Sequence, residues 1–193
     1  MTTERHFLFL VASARAPGIV GNTEWLAREA AKALPAGVRS TWRHLNDTPL
    51  PDFADRRHDL GTYPMPEGEM RRLLDETLAA TDLVFVTPLY WYGLPARLKL
   101  YIDHWSAWMR VPGLDFKGLM KGKRVWAVTT SGDRAKTQPM FDSLALCAAF
   151  LEMAWQGALW GRGGAPGAVA TDAAAVAAAE RYFNAGVAGS NEF

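Results

Sequence analysis

Unbroken apolar runs alternate along this chain with stretches of helical periodicity. Phe7-Leu8-Phe9-Leu10-Val11-Ala12 precedes a helical pattern over about 22–34, and a more polar segment read as a strand, 38–45, precedes one over about 67–80. The runs 83–87 and 124–130 precede helical patterns over about 95–110 and 138–153, and a short run near 158–160 precedes an Ala-rich helix over about 172–185. Apolar runs that do not alternate with polar residues are the mark of strands covered on both faces, and helices between such strands act as crossovers in a parallel sheet. Five strands joined in this way predict an α/β doubly wound fold, a three-layer sandwich with strand order 2-1-3-4-5. Leu98, Tyr101, Ile102, Trp105 and Met109 recur on one side of the third helix and predict its buried face. Segments 46–66 and 111–123 carry no period and are expected to be long surface loops, and 186–193 reads as a frayed tail.

Composition narrows the class. The 193 residues suit one domain, 1–193, and 49% hydrophobic against 21% charged residues is the balance of a packed globule, not a disordered chain. Lys+Arg 21 and Asp+Glu 20 leave a net charge of +1, so no nucleic acid partner is expected. The short basic groups Arg56-Arg57-His58 and Arg71-Arg72 read as solvated surface. The run 7–12 followed by Ala12-Ser13-Ala14 imitates a signal sequence poorly: it is too short, Glu4 lies where positive charge belongs, and cleavage would remove the first strand. No run approaches the ~20 apolar residues of a membrane span. The single cysteine, Cys147, allows no internal disulfide and fits the core pattern of its helix. A cytoplasmic protein is the expectation.

Three loops carry chemistry. After the first strand, Ser13-Ala14-Arg15-Ala16-Pro17-Gly18-Ile19-Val20-Gly21-Asn22-Thr23 brings hydroxyls, an amide, a permanent cation and glycines to a helix N-terminus, the components of a phosphate site. It has neither a Gly-Lys-Ser/Thr nor a G-x-G-x-x-G arrangement, which argues against P-loop and dinucleotide folds. After the third strand, Pro88-Leu89-Tyr90-Trp91-Tyr92-Gly93 offers aromatic surface for a planar ring, with Gly93 allowing close backbone approach. Pro95 is expected at the first position of the next helix with Leu94 as a cap lacking a side-chain acceptor. After the fourth strand, Thr130-Ser131-Gly132 adds hydroxyls and a glycine. In the expected strand order these loops share one edge of the sheet, which points to a planar ligand bearing a phosphate. The four histidines adjoin no nucleophile motif and match no metal-ligand spacing, so no catalytic side chain and no metal site is expected.

With these residues in view, the chain resembles the flavodoxin-like NAD(P)H-dependent FMN reductase and quinone reductase family. The likeness rests on the Ser13-x-Arg15 loop ending Gly21-Asn22-Thr23, on Leu45-Asn46-Asp47-Thr48-Pro49-Leu50-Pro51, on the stretch from Thr87 through Pro95-Ala96-Arg97-Leu98-Lys99 to Ile102-Asp103, and on Thr130-Ser131-Gly132. It departs from the family in having Ala12 before Ser13 and an extension from Gly18 to Gly21. The resemblance implies noncovalent FMN, its phosphate on the first loop, its isoalloxazine against the second and the third loop along the pyrimidine side. It also implies NADH or NADPH as cosubstrate, and a quinone, flavin or other aromatic small molecule as electron acceptor. The competing reading is a flavodoxin-type electron carrier, which the near-neutral charge disfavours because such carriers are typically strongly acidic. Eight tryptophans, Trp105 and Trp108 among them, leave aromatic surface for a homodimer.

Overall fold

The computed structural model describes residues 4–16 and 18–184. The five strands are β1 (His6–Val11), β2 (Arg39–His44), β3 (Asp82–Val86), β4 (Arg124–Ser131) and β5 (Ala154–Arg162). All pair in parallel in the order β2-β1-β3-β4-β5, as the pattern predicts. Between and after them run α1 (Asn22–Lys32), α2 (Gly68–Ala79), α3 (Ala96–Trp108), α4 (Phe116–Met120), α5 (Gln138–Phe150) and α6 (Ala173–Tyr182).

The apolar strands divide their side chains between two cores with a period of two. Leu8, Leu10, Leu83, Phe85, Val125 and Ala127 face α2, α3 and α5, whereas Phe7, Phe9, Val11, Val84, Val86, Trp126 and Val128 face α1 and α6. Each strand therefore has no polar face, which explains its unbroken hydrophobicity. The amino ends of β3 and β4 are tied by Asp82, a fully buried carboxylate that accepts from Arg5 and Arg124 at 2.7 Å each and from Trp126 Nε1 at 2.9 Å.

Several expectations need correction. Segment 111–123 is not all loop: Phe116 and Met120, one helical turn apart and buried, anchor α4, whose start is capped where Asp115 accepts the Gly118 N–H at 3.0 Å. Segment 46–66 lacks regular structure but is packed, with Phe53 stacked on Tyr63 and the ring of His104 bonded to the Pro51 carbonyl at 2.8 Å. Strand β5 runs well beyond 158–160; its flanks are half-exposed and polar-interrupted because it is an edge strand. Its register with β4 shifts between Val125 and Ala127, where Gly157 adopts φ +85°, a left-handed conformation that favours glycine. The Tyr182 hydroxyl fills the gap, accepting the Ala127 N–H at 3.2 Å and lying 2.8 Å from the Gly157 carbonyl. On α3 the buried face is Leu98, Tyr101, Trp105 and Trp108, while Ile102 and Met109 are half-buried in a groove against α5. Cys147 is likewise half-buried in that groove, and its surroundings push the thiol pKa up by desolvation. Arg57, Arg71 and Arg72 pair with Asp55, Asp75 and Glu69 at the surface, as expected of solvated charge. The expected tail 186–193, and residue 185 of the last helix, lie outside the described residues.

Candidate functional site

Because β1, β3 and β4 are neighbours, the loops leaving their carboxyl ends meet around one cavity of about 300 Å³. The loop after β1 contributes Ser13, Arg15 and Gly21 and the start of α1 Asn22 and Thr23; the β3 loop contributes Pro88, Leu89 and Tyr90; the end of β4 contributes Thr130 and Ser131, followed by Gly132.

The first loop is shaped around its cation. The Arg15 side chain crosses Gly21 so closely that a Cβ there would lie 2.9 Å from Arg15 Nε, so a larger residue at 21 would displace the arginine side chain from this position. Among the described residues Arg15 enters no ion pair. Gly21 is also the N-cap of α1 and supplies no side-chain acceptor, so the helix presents unsatisfied N–H groups and its positive dipole end to the same cavity. Of the neighbouring charges, buried Glu24 accepts from Arg28 at 2.6 Å and lies 3.2 Å from His44 Nε2. A site with one free cation, a hydroxyl at Ser13 and a bare helix terminus has the donor set of an anion pocket.

Other side chains hold the loops to one another. The hydroxyls of Thr23 and Thr130 lie 2.6 Å apart, joining the start of α1 to the end of β4. The Ser131 hydroxyl donates to the Asp133 carbonyl at 2.8 Å and accepts from Trp160 Nε1 at 2.9 Å. A fourth wall was not foreseen: Gly163 and Gly164, after β5, line the cavity, and the Gly163 N–H donates to the Ser131 carbonyl at 2.8 Å. A Cβ on Gly163 would sit 3.1 Å from Ser131 N. Glu24 also reaches this cavity. The glycine pair beyond a strand end is the signal available in the sequence, but it contributes backbone and space and carries no polar side chain to mark a site.

The aromatic loop differs from expectation. Tyr90 and Gly93 bond reciprocally, N–H to carbonyl, at 3.2 and 3.0 Å, making a tight turn with Trp91 at φ +48° and Tyr92 at φ +63° at its centre. Two-residue turns of this kind need positive φ at both central positions, which side-chain-bearing residues resist. The turn carries Trp91 and Tyr92 outward, 96% and 56% exposed, so of the three aromatics only Tyr90 lines the cavity. Gly93 also stays off the lining. The cap of α3 is Pro95 itself, not Leu94. Left-handed backbone costs a side-chain-bearing residue about 1–2 kcal/mol, and Trp91 recovers nothing from burial. Trp91→Gly is therefore expected to leave the thermal midpoint unchanged or higher. A clear fall in that midpoint would show that the indole is packed.

A model of the flavodoxin-like fold matches residues 5–184 of the chain. A Bacillus subtilis protein, YwqN, named as an NAD(P)H-dependent FMN-containing oxidoreductase, is 31% identical over 166 residues, 84% of this chain and 90% of its own. An FMN-dependent NADH:quinone oxidoreductase of Jannaschia sp. is 43% identical over 60 residues, 31% of this chain and 29% of its own. The solved structure of a Trp repressor binding protein from Bacillus subtilis superposes with a TM-score of 0.70 at 27% identity, covering 91% of this chain and 96% of that one. The parallel five-stranded sheet, the loops converging at its carboxyl edge and a match along nearly the whole chain place this protein in the flavodoxin-like fold family.

Proposed function

We propose that the chain binds FMN noncovalently in this cavity and acts as an NAD(P)H-dependent oxidoreductase that passes electrons to a quinone, a second flavin or another aromatic small molecule. The observation that carries this reading is the pairing of an uncommitted Arg15 and an uncapped α1 terminus with a neutral cavity continuing between the β3 and β4 loops. The first group fits a phosphate dianion. The second fits an uncharged planar ring, with Pro88, Leu89 and Tyr90 on one side and Thr130 to Gly132 on the other. Bound FMN would supply the redox chemistry, that of hydride acceptance from a nicotinamide and electron delivery to an acceptor. The chain's own residues then have three tasks. Arg15, Ser13 and the free N–H groups of α1 hold the anionic end. The Thr23–Thr130 bond and the Gly163–Ser131 bond fix the distance between the loops. Trp91 and Tyr92, exposed beside the lining residue Tyr90, offer aromatic surface to a substrate approaching from solvent.

The oxidoreductase names of YwqN and of the Jannaschia relative support an enzyme over a carrier, as does the net charge of +1. We further place the protein in the cytoplasm, in keeping with its single cysteine, and as a homodimer through the apolar groove of α3 and α5, where Leu146 and Phe150 are 72% and 59% exposed. Among the described residues no helix is long and apolar enough to cross a membrane.

The experiment is direct. Protein mixed with FMN and desalted is expected to retain flavin absorbance, and to oxidise NADH or NADPH when a quinone is supplied. Because nicotinamide and acceptor would use one exposed face in turn, double-reciprocal plots at several acceptor concentrations are expected to be parallel. Retained flavin that ignores both nicotinamides but accepts electrons from a separate reductase would make the protein a carrier; absence of retained flavin would remove the cofactor assignment itself.

A further inference from the structure

The amino ends of the strands carry a second concentration of charge, at the opposite end of the sheet from the flavin cavity. Arg5, Lys121, Lys123 and Arg124 line a cavity of about 630 Å³ there, together with Thr81 and Leu119. All four charged groups are cations. The carboxylate bound to both guanidiniums, Asp82, is 0% exposed and does not line the cavity, and it balances only one of the two. Lys121 and Lys117 share the single carboxylate of Glu152, at 2.6 and 3.7 Å. The Lys123 ammonium donates to the carbonyls of Leu78, at 2.7 Å, and Ala80, and pairs with no carboxylate among the described residues. Five cations thus stand against two carboxylates, a local excess of three in a chain whose net charge is +1.

Cations gathered in a concavity reinforce one another's field and draw anions to it. The strain is visible at Lys123, whose pKa burial pulls down while the charge of Asp82 restores only part of the loss. Donors also remain unspent. Arg124 commits Nε and Nη2 to Asp82, at 2.7 and 3.0 Å, and its Nη1 has no partner among the described residues; Lys123 gives two of its three N–H groups to carbonyls. We propose that this cavity binds a small polyanion, a molecule carrying several phosphate groups in a row. The cations come from separate segments: Arg5 just before β1, Lys121 and Lys123 between α4 and β4, and Arg124 at the start of β4. They can therefore each meet a different phosphate, and the cavity has about twice the volume of the flavin cavity. A single phosphate would reach only some of them. The assignment does not depend on the FMN reading, because the two anion pockets share no residue.

The probe is tripolyphosphate, titrated calorimetrically at constant ionic strength into the Arg15→Ala protein, whose other anion pocket has lost its cation. One saturable site is expected, with inorganic phosphate binding about tenfold more weakly or worse because it engages fewer cations. Lys123→Gln, made in the same background, should weaken tripolyphosphate about tenfold. Because Lys123 also holds the end of α2, Lys121→Gln, at a side chain 66% exposed, is the companion variant and should cost about threefold. Asp82→Asn removes the internal counter-charge and should tighten binding about threefold, a gain that general loosening of the fold would not produce. Absence of a saturable site overturns the proposal. So does a tripolyphosphate affinity that none of the three variants changes, which would put the anion elsewhere on the surface. Inorganic phosphate binding as tightly as tripolyphosphate would reduce the site to a pocket for one phosphate and overturn it as well.

Discussion

Replacing Asp82 with alanine is expected to destabilise the folded protein by about 3–5 kcal/mol, the usual loss when one partner of a buried ion pair is removed. The carboxylate is 0% exposed and each of its oxygens is bonded. Besides the 2.7 Å contacts to Arg5 and Arg124, Oδ2 accepts from Thr81 at 2.7 Å and from the second nitrogen of Arg124 at 3.0 Å. Without it, two guanidiniums, 20% and 31% exposed, face each other with no counter-charge. The same site sets an acid limit. Desolvation pushes the Asp82 pKa up, but the bonds from Arg124, Arg5, Thr81 and Trp126 together outweigh it and hold the pKa at about 2. Since the folded value lies below the ordinary 3.8, the stabilisation is complete above about pH 4 and is lost as pH falls through 2. Linkage sets the amount at about 2–3 kcal/mol. Denaturant titrations at pH 7, 4 and 2.5 on the unaltered protein and on Asp82→Asn measure it. The gap between the two should narrow below pH 4, a comparison that cancels the exposed Asp55, also held at about 2 by Arg57. A gap that stays constant with pH would show that the charge of Asp82 is not what stabilises. Asp82 lies at the amino end of β3, opposite the cavity, so flavin affinity at pH 7 should be the same in both proteins.

What could be read from the sequence follows from how each part of the fold is stabilised. Strands β1, β3 and β4 are covered by helices on both faces, so their hydrophobicity is continuous and their positions were evident. From the crossovers between them came the strand order, and from that order the meeting of three loops around one cavity. Strand β5 was shortened because an edge strand buries only part of its length. Helix α4 was missed because five residues with two buried anchors are too few to establish a period. In the site, Ser13, Arg15 and Thr130 announce themselves by functional groups. Gly163 and Gly164 act through backbone and close approach, which their neighbours in space, and not in sequence, make meaningful. The outward aim of Trp91 and Tyr92 depends on positive φ at two residues whose types predict negative φ, so a tertiary constraint overrides the local preference. Asn22 was recognised as a site residue, but which end of its amide is free is decided by two carbonyls more than a hundred residues away.

Arg15 and Ser13 provide the sharpest measure of the site. Arg15→Ala is expected to weaken FMN by about 1.5–3 kcal/mol, tenfold to over a hundredfold, the range for a lost hydrogen bond to a charged group. Riboflavin, which carries no phosphate, should bind nearly as before. Arg15 is exposed at the cavity mouth and free of carboxylate partners among the described residues, so its whole charge is available to a ligand and none of it is tied into the fold. Exposure also makes the effect sensitive to salt: the difference between FMN and riboflavin should shrink as ionic strength rises from 0.01 to 1 M, over which the screening length falls from about 30 to 3 Å. Arg15→Lys keeps the charge and loses the planar fork, and should fall between the two. Ser13→Ala should follow the same pattern with a smaller loss, because a neutral hydroxyl is the weaker donor. Equal loss of FMN and riboflavin in Arg15→Ala would place its effect on the loop's conformation, through the contact with Gly21, and would leave the anion pocket without its cation.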